Sequence, residues 1–166
     1  MTVLRPAIFL FLLFTFPFLH AETLTGRVVR VTDGDTIVVL DADKVQHKIR
    51  LQGIDAPERH QAFGTKSKEH LSDLVAGKTV EVDYSKYDRY GRVLGIVMVN
   101  GEDVNLEQIE AGMAWHYKKY QGEQSASDRI EYSDAELEGQ ETQGRFMARF
   151  ESDASLGLSS GGTGSA

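Results

Sequence analysis

Residues 33–58 read DGDTIVVLDADKVQHKIRLQGIDAPE and decide the fold. Thr36–Leu40 and Val45–Leu51 are rich in β-branched residues or alternate polar with apolar ones, which predicts two strands joined by a polar turn. If these strands pair as a hairpin, the start of the first lies beside the end of the second. Asp35 would then meet Asp55 across the sheet.

Four acids lie where these predicted strands begin or end: Asp33, Asp35, Asp55 and Glu58. Carboxylates gathered at one place can hold a hard cation such as Ca²⁺, which takes oxygen ligands. An ordinary Asp-Gly turn is the alternative for the first two acids, since such turns need no metal. An EF-hand loop is excluded because its fifth position would be Ile37.

Two arginines accompany the acids. Arg50 lies near the end of the second strand, and Arg92 follows the polar turn Asp88–Gly91. Each taken alone could form a surface salt bridge with a nearby acid. If both face the acidic cluster, their planar guanidinium groups form a phosphate clamp.

The remaining pattern predicts three more strands and several helices. One helical face would combine Phe63, Leu71, Leu74 and Val75 within residues 61–76. The other predicted elements are strands at Leu24–Val31, Thr79–Tyr84 and Val93–Val99, a short helix from the cap Asp103 to Ala111, and a longer helix after Ser127. This order favours an α+β fold, an OB-like five-stranded barrel with about three packed helices.

The two ends of the chain have different compositions from the body. Residues 1–21 carry one basic side chain, a long apolar run and a small residue, Ala21, which predicts a signal peptide and a secreted or periplasmic protein. An uncleaved anchor is the alternative. Residues 22–150 form the predicted domain, and residues 151–166 predict a flexible Gly/Ser tail. The 166-residue chain has no cysteine, which excludes disulfide and thiolate-metal sites.

The formal charge of −7 is unusual for a chain that binds polyanions. Its distribution is uneven, because residues 44–92 carry ten Lys or Arg against seven Asp or Glu, whereas residues 93–166 carry five against thirteen. Tyrosines are interleaved with basic residues between positions 84 and 120, which suits a groove that follows phosphates and stacks bases. Packing against the core is an equally good explanation of these tyrosines.

Taken in order, the segments Asp35-Thr36, Arg50-Leu51, Gly53–Glu58 and Asp88–Arg92 resemble the staphylococcal nuclease (thermonuclease-like) family. The resemblance covers roughly residues 25–120. It implies an OB-fold enzyme that cleaves DNA or RNA phosphodiesters with Ca²⁺, leaving 3′-phosphates. We also expect a monomer with no stable membrane association after signal cleavage.

The resemblance also implies roles for individual residues. Asp35 and Asp55 resemble the calcium ligands, with the backbone carbonyl of Ala56 as a third and Asp33 as an outer-shell acid. Glu58 resembles the base that activates water, and Arg50 and Arg92 resemble the pair that binds the scissile phosphate. Nucleotide contacts are implied for four further residues: Arg89, Tyr90, Lys118, which replaces a tyrosine, and Tyr120.

Two other hypotheses stay open at this point. Some members of this family have lost catalysis, so the chain could be an OB-fold module that binds nucleic acid or protein. It could also be a calcium-stabilised structural domain. The complete set Asp35, Arg50, Asp55, Glu58 and Arg92 favours the enzyme, because a binding module has no chemical need for all five.

Overall fold

A computed structural model describes residues 22–141 of the chain. The strands are β1 (Glu22–Asp33), β2 (Thr36–Leu40), β3 (Gln46–Leu51), β4 (Ile54–Asp55), β5 (Thr79–Tyr87), β6 (Val93–Val99), β7 (Glu102–Asp103) and β8 (Trp115–His116). The helices are α1 (Gly64–Val75), α2 (Val104–Glu110), a 3₁₀ helix (Lys118–Glu123) and α3, helical from residue 126 to residue 141. The predicted signal peptide and tail lie outside the described residues.

Five strands close into a barrel. The order β3-β2-β1-β5-β6 is antiparallel throughout, and a parallel pairing of β3 with β6 joins the two ends. Closure removes the exposed strand edges that an open sheet of this size would present. The predicted hairpin is confirmed, because Thr36 pairs with Arg50 across β2 and β3.

The barrel interior is filled by branched aliphatic side chains, among them Ile37, Val39, Ile49, Val82 and Val97, each with no exposed surface. Along β6 every second residue faces inward, as the alternation in its sequence predicts. Burying a side chain of this size contributes about 1.5–3 kcal/mol. The core therefore fixes the register of the strands whose ends carry the acids.

The helices cover the barrel, and one of them begins later than predicted. Helix α1 begins at Gly64, and Phe63 is its N-cap with a left-handed φ of 64°, so Phe63 does not share the buried face with Leu71 and Val75. Helix α2 begins as predicted, since the Asp103 carboxylate accepts hydrogen bonds from the amides of Asn105 and Leu106.

Helix α3 confirms the helix predicted after Ser127 and explains its glycine. A Cβ on Gly139 would lie 2.1 Å from the carbonyl oxygen of Ile109, so only glycine lets α3 approach the end of α2 this closely. Tyr132 and Ala135 of α3 are buried in the common core. Within residues 22–141, none of the helices has the length and apolar character needed to cross a bilayer.

Candidate functional site

The site begins at the tight turn between β1 and β2. Asp35 is only 4% exposed, although it is an acid. One of its carboxylate oxygens accepts a hydrogen bond from the Thr36 hydroxyl at 2.8 Å, and the other accepts one from the Ala56 amide at 3.2 Å. Its backbone carbonyl accepts from the Leu51 amide at 2.9 Å. These contacts fix Asp35 against the ends of β3 and β4.

Arg50 joins the two acids predicted to meet. Its guanidinium forms an ion pair with Asp35 through one terminal nitrogen, and the other donates to Asp55 Oδ1 at 2.8 Å. The side chains of Arg50 and Asp35 are 18% and 6% exposed, whereas that of Asp55 is 50% exposed. The two carboxylates therefore converge on one planar cation.

A second arginine lies within electrostatic range of the first. Burial lowers the pKa of the Arg50 guanidinium, and the charge of Arg92 acts in the same direction, whereas Asp55 and Glu58 oppose the shift. Arginine nevertheless stays cationic in proteins. The parallel pairing of β3 with β6, in which Ile49 lies opposite Val93, brings the two arginines to the same end of the barrel.

Asp88 orients Arg92. Its carboxylate accepts hydrogen bonds from the Arg92 Nε at 2.7 Å, the Arg92 amide at 2.9 Å and the Tyr90 amide at 2.8 Å. Burial alone would raise the pKa of Asp88, but these hydrogen bonds outweigh it and leave the pKa below its ordinary value. Because Asp88 takes Nε, the two terminal nitrogens of Arg92 are left for an anion.

Glu58 is exposed and lines a cleft of about 460 Å³ together with Asp55. Its backbone amide donates to the Gln61 side chain at 2.7 Å, and its carbonyl accepts from the Gln61 amide at 2.8 Å. The segment between β4 and α1 is thus held at its backbone. The carboxylate of Glu58 remains open to solvent, where it can accept a proton from water.

The acids have the donor chemistry of a site for a hard cation. Asp35 and Asp55 supply carboxylate oxygens, the ligand type that calcium prefers. The two carboxylates are close enough together for one guanidinium to contact both. Asp33 is half-buried at the end of β1, where it pairs with Thr36. Within residues 22–141, no three His, Asp or Glu side chains are grouped closely enough to hold a metal by themselves. Two carboxylates fit a cation that takes its other ligands from backbone carbonyls, water or phosphate.

The four predicted nucleotide-contacting residues lie in two groups. Arg89 stacks on the exposed ring of Tyr90 at 4.7 Å, and Arg92 lies 5.6 Å from the same ring. Tyr120 is half exposed and belongs to the 3₁₀ helix. Lys118 forms an ion pair with the buried Glu136, so a phosphate would compete with that carboxylate for the ammonium group.

A buried network behind Asp35 was not predicted. Gln108 of α2 has no exposed surface, and its amide donates to the Gly34 carbonyl at 2.7 Å and to the Ser67 carbonyl at 3.3 Å. The side-chain oxygen of Gln108 contacts His70 Nδ1. A Cβ on Gly34 would lie 1.8 Å from the Ser67 hydroxyl, so glycine is required in this turn. The network connects the Asp35 turn to helices α1 and α2.

Trp115 was also not among the site residues predicted from the sequence. It is 45% exposed, lies opposite Asp55 in the two-residue pairing of β4 with β8, and lines the same cleft as Glu58. Sequence reasoning could have noted a lone tryptophan beside a string of tyrosines and lysines. Its position next to the acids depends on a pairing between residues 60 apart, which no local pattern reveals.

Comparison with known proteins gives one consistent family. A family model described as staphylococcal nuclease homologue matches residues 48–145, more than half of the chain. The chain is similar to an uncharacterized endonuclease of Escherichia coli, with 50% identity over 109 residues that cover 65% of this chain and 70% of that protein. It is similar to an uncharacterized endonuclease of Haemophilus influenzae, with 48% identity over 99 residues that cover 60% and 56% of the two chains. It is also similar to a micrococcal nuclease of Shigella flexneri, with 40% identity over 116 residues that cover 64% and 66%.

Proposed function

The chain belongs to the staphylococcal nuclease family, and from this premise we propose that it is a calcium-dependent endonuclease that hydrolyses phosphodiester bonds of DNA or RNA. The observation that carries the proposal is the position of Arg50. Its guanidinium lies between Asp35 and Asp55, within electrostatic range of both Arg92 and Glu58. A second cation and three acids thus lie within interaction range of the Arg50 guanidinium.

The arginines bind the scissile phosphate in this proposal. Arg92 is held through Nε by Asp88 and offers both terminal nitrogens to non-bridging phosphate oxygens. Arg50 approaches from the neighbouring strand. Their fixed charges stabilise the extra negative charge that develops on the phosphate in the transition state, and removing such a group costs about 2.7–4 kcal/mol in other enzymes.

Glu58 removes a proton from the attacking water. The water oxygen forms a bond to phosphorus as the bond from phosphorus to the 5′ oxygen breaks, and the leaving oxygen takes a proton from solvent or Arg92. The products are a 3′-phosphate and a 5′-hydroxyl. Asp35, Asp55 and the Ala56 carbonyl would hold calcium, which when bound polarises the phosphate and offsets its charge.

A digestion assay tests this function. Plasmid DNA and a structured RNA are incubated with the protein in CaCl₂ and in EDTA. We expect cleavage only with calcium, and 3′-phosphate ends in the products. Glu58→Gln and Arg92→Ala should each lower turnover by at least about 100-fold. Glu69→Gln and Arg129→Ala, which change exposed charges on α1 and α3, are the matched controls.

Failure of the wild-type protein to cleave either substrate, together with measurable binding, would favour the non-catalytic OB-fold module. Cleavage that persists in EDTA would refute calcium dependence alone. Turnover in Arg92→Ala equal to that in Arg129→Ala would refute the role given to Arg92.

Localisation and assembly are further parts of the proposal. We expect residues 1–21 to be removed as a signal peptide on export, leaving a monomer that does not stay bound to a membrane. The N-terminal sequence and mass of the protein recovered from the periplasm or the medium would show the cleavage. Light scattering of the purified product would give its oligomeric state.

A further inference from the structure

A cleft beside the catalytic acids is also lined by an exposed tryptophan. Asp55 and Glu58 line its 460 Å³ volume, and the rest of the lining is mostly apolar and includes Phe63, Met113 and Trp115. A volume of this size is within the range of small-ligand sites. Acidic and apolar side chains line the same cleft, so a ligand that fits it should combine a polar reacting group with an apolar or aromatic body.

Strand pairing fixes the orientation of the tryptophan. Trp115 of β8 lies directly opposite Asp55 of β4. Side chains of directly opposite residues in an antiparallel pair project from the same face, with Cβ atoms about 4.5–5.5 Å apart. The indole and the carboxylate therefore share the cleft side of this two-stranded sheet. The 45% exposure of Trp115 leaves a broad aromatic face uncovered beside the site of hydrolysis.

A planar aromatic ligand suits this surface better than a phosphate does. Asp55 and Glu58 would repel a phosphate deep in the cleft, while an indole, a thioether and a phenyl ring favour a flat π system. The proposed substrate carries such a group one sugar away from each phosphate. The continuity of the cleft with the acids makes a nucleobase of the substrate its best occupant.

The direction of attack decides which nucleotide this is. In an in-line displacement, water and the leaving oxygen lie on opposite sides of phosphorus. Glu58 activates the water, so the leaving 5′-linked nucleotide points away from Glu58 and its cleft. The nucleotide that keeps the phosphate on its 3′ oxygen is the one that can enter.

We propose that this cleft is a second nucleotide subsite, which binds the base of the nucleotide on the 5′ side of the scissile phosphate by stacking on Trp115. The proposal rests on the nuclease function proposed above. It adds a subsite separate from the Tyr90 and Tyr120 region, and it makes Trp115 a determinant of substrate affinity.

Cleavage of two matched oligonucleotides tests the subsite. Each has one cleavable phosphodiester between methylphosphonate linkages, and one of them carries an abasic sugar on the 5′ side of that bond. Trp115→Ala should raise KM for the substrate without an abasic site by about 5- to 150-fold, the range measured for base–aromatic stacking. It should leave cleavage of the abasic substrate within about twofold of wild type, because that substrate has no base to stack.

Controls separate stacking from folding. Trp115→Phe keeps an aromatic face and should lose much less affinity than Trp115→Ala. Ile130→Ala removes an exposed apolar side chain from α3 and should match wild type on both substrates. Circular dichroism melting curves establish that each variant is folded.

The sole tryptophan of the chain provides a direct binding readout. Thymidine 3′-monophosphate in CaCl₂ should quench Trp115 fluorescence saturably and at lower concentration than thymidine 5′-monophosphate. No quenching by either nucleotide, or equal quenching by both, would overturn the proposal.

The cleavage results distinguish failure of the subsite proposal from failure of the proposed nuclease function. An equal effect of Trp115→Ala on both oligonucleotides would overturn the subsite while leaving the nuclease intact. No cleavage of either oligonucleotide by wild type would overturn the nuclease function, and the subsite with it.

Discussion

Replacing Arg50 by glutamine separates the structural part of the site from its chemistry. The variant removes the cation that lies between Asp35 and Asp55 while keeping a polar side chain of similar length. Asp35 would then be a carboxylate with 4% exposure and no positive partner among its contacts in the described structure. It would keep the hydrogen bonds from Thr36 and from the Ala56 amide.

The two ion pairs contribute unequally to the expected loss. Asp55 is half exposed, so water replaces its partner and the pair is worth about 0–1 kcal/mol. Asp35 is nearly inaccessible, and removing one partner of a buried pair costs about 3–5 kcal/mol. Because Asp35 keeps its two hydrogen bonds, we expect its part of the loss in unfolding free energy to lie at the lower end of this range. We therefore expect the free energy of unfolding to fall by about 3–4 kcal/mol.

Urea unfolding in EDTA, followed by circular dichroism, measures this loss. Lys48→Gln is the matched control, since Lys48 is exposed on the same strand two residues earlier and loses the same charge. The control should change stability by no more than about 0.5 kcal/mol. Arg50→Lys, which keeps the charge but not the planar fork, should fall between the two and gives a measurable sample if Arg50→Gln does not fold.

Calcium should partly reverse the effect. With the guanidinium gone, a divalent cation is the natural neutraliser of the two carboxylates, and it stabilises the folded state in proportion to RT ln(1 + [Ca²⁺]/Kd). The gain in unfolding free energy between EDTA and CaCl₂ should be larger for Arg50→Gln than for Lys48→Gln. Equal losses in EDTA for these two variants would refute the pairing geometry, and equal calcium gains would refute the cation site.

Three other variants test the supporting contacts. Gln108→Leu leaves the buried Gly34 carbonyl without its donor and should lower the unfolding free energy by about 1–3 kcal/mol in urea titrations; no change would refute this support of the Asp35 turn. Asp88→Asn should lower turnover by about 10- to 100-fold with little change in KM, because Arg92 loses its orienting partner; steady-state kinetics decide this. Burial raises the pKa of Asp103 above its ordinary 3.8, so the folded state retains a proton there that the unfolded chain has lost. The unfolding free energy of wild type relative to Asp103→Asn should therefore fall as pH rises from about 4 to 7, and a pH-independent difference would contradict it.

The barrel could be predicted because its signals are local. Alternation of apolar residues gives the strands, and a two-strand hairpin with a short turn gives the pairing of Thr36 with Arg50. That one register places Asp35 beside the end of β3. The convergence of Asp35, Arg50 and Asp55 was thus predictable from sequence, because a single hairpin carries most of the geometry.

The cleft could not be predicted, because its walls come from segments without a strong local pattern. Strands β4 and β8 are two residues long, and the position of Trp115 depends on their pairing. Phe63 reads as part of a helical face, yet it adopts a left-handed conformation just before α1 and turns toward the cleft. The buried Gln108 reads as a polar surface residue in a short helix until α1 and the Gly34 turn enclose it.

The acidic net charge is a poor guide to how this protein meets a polyanion, because some carboxylates are engaged in local contacts and salt screens those that lie far from the site. Among the acids after residue 93, Asp103 caps α2 and accepts from the Tyr132 hydroxyl, while Glu136 accepts from the His116 amide and pairs with Lys118. Lys118 offsets the charge of Glu136, and salt screens the other carboxylates beyond a Debye length of about 8 Å. What a phosphate meets at the site is decided within that distance, where Arg50 and Arg92 lie at one end of the barrel. Binding should accordingly be weak, since few cations provide it, and it should weaken further as the salt concentration rises.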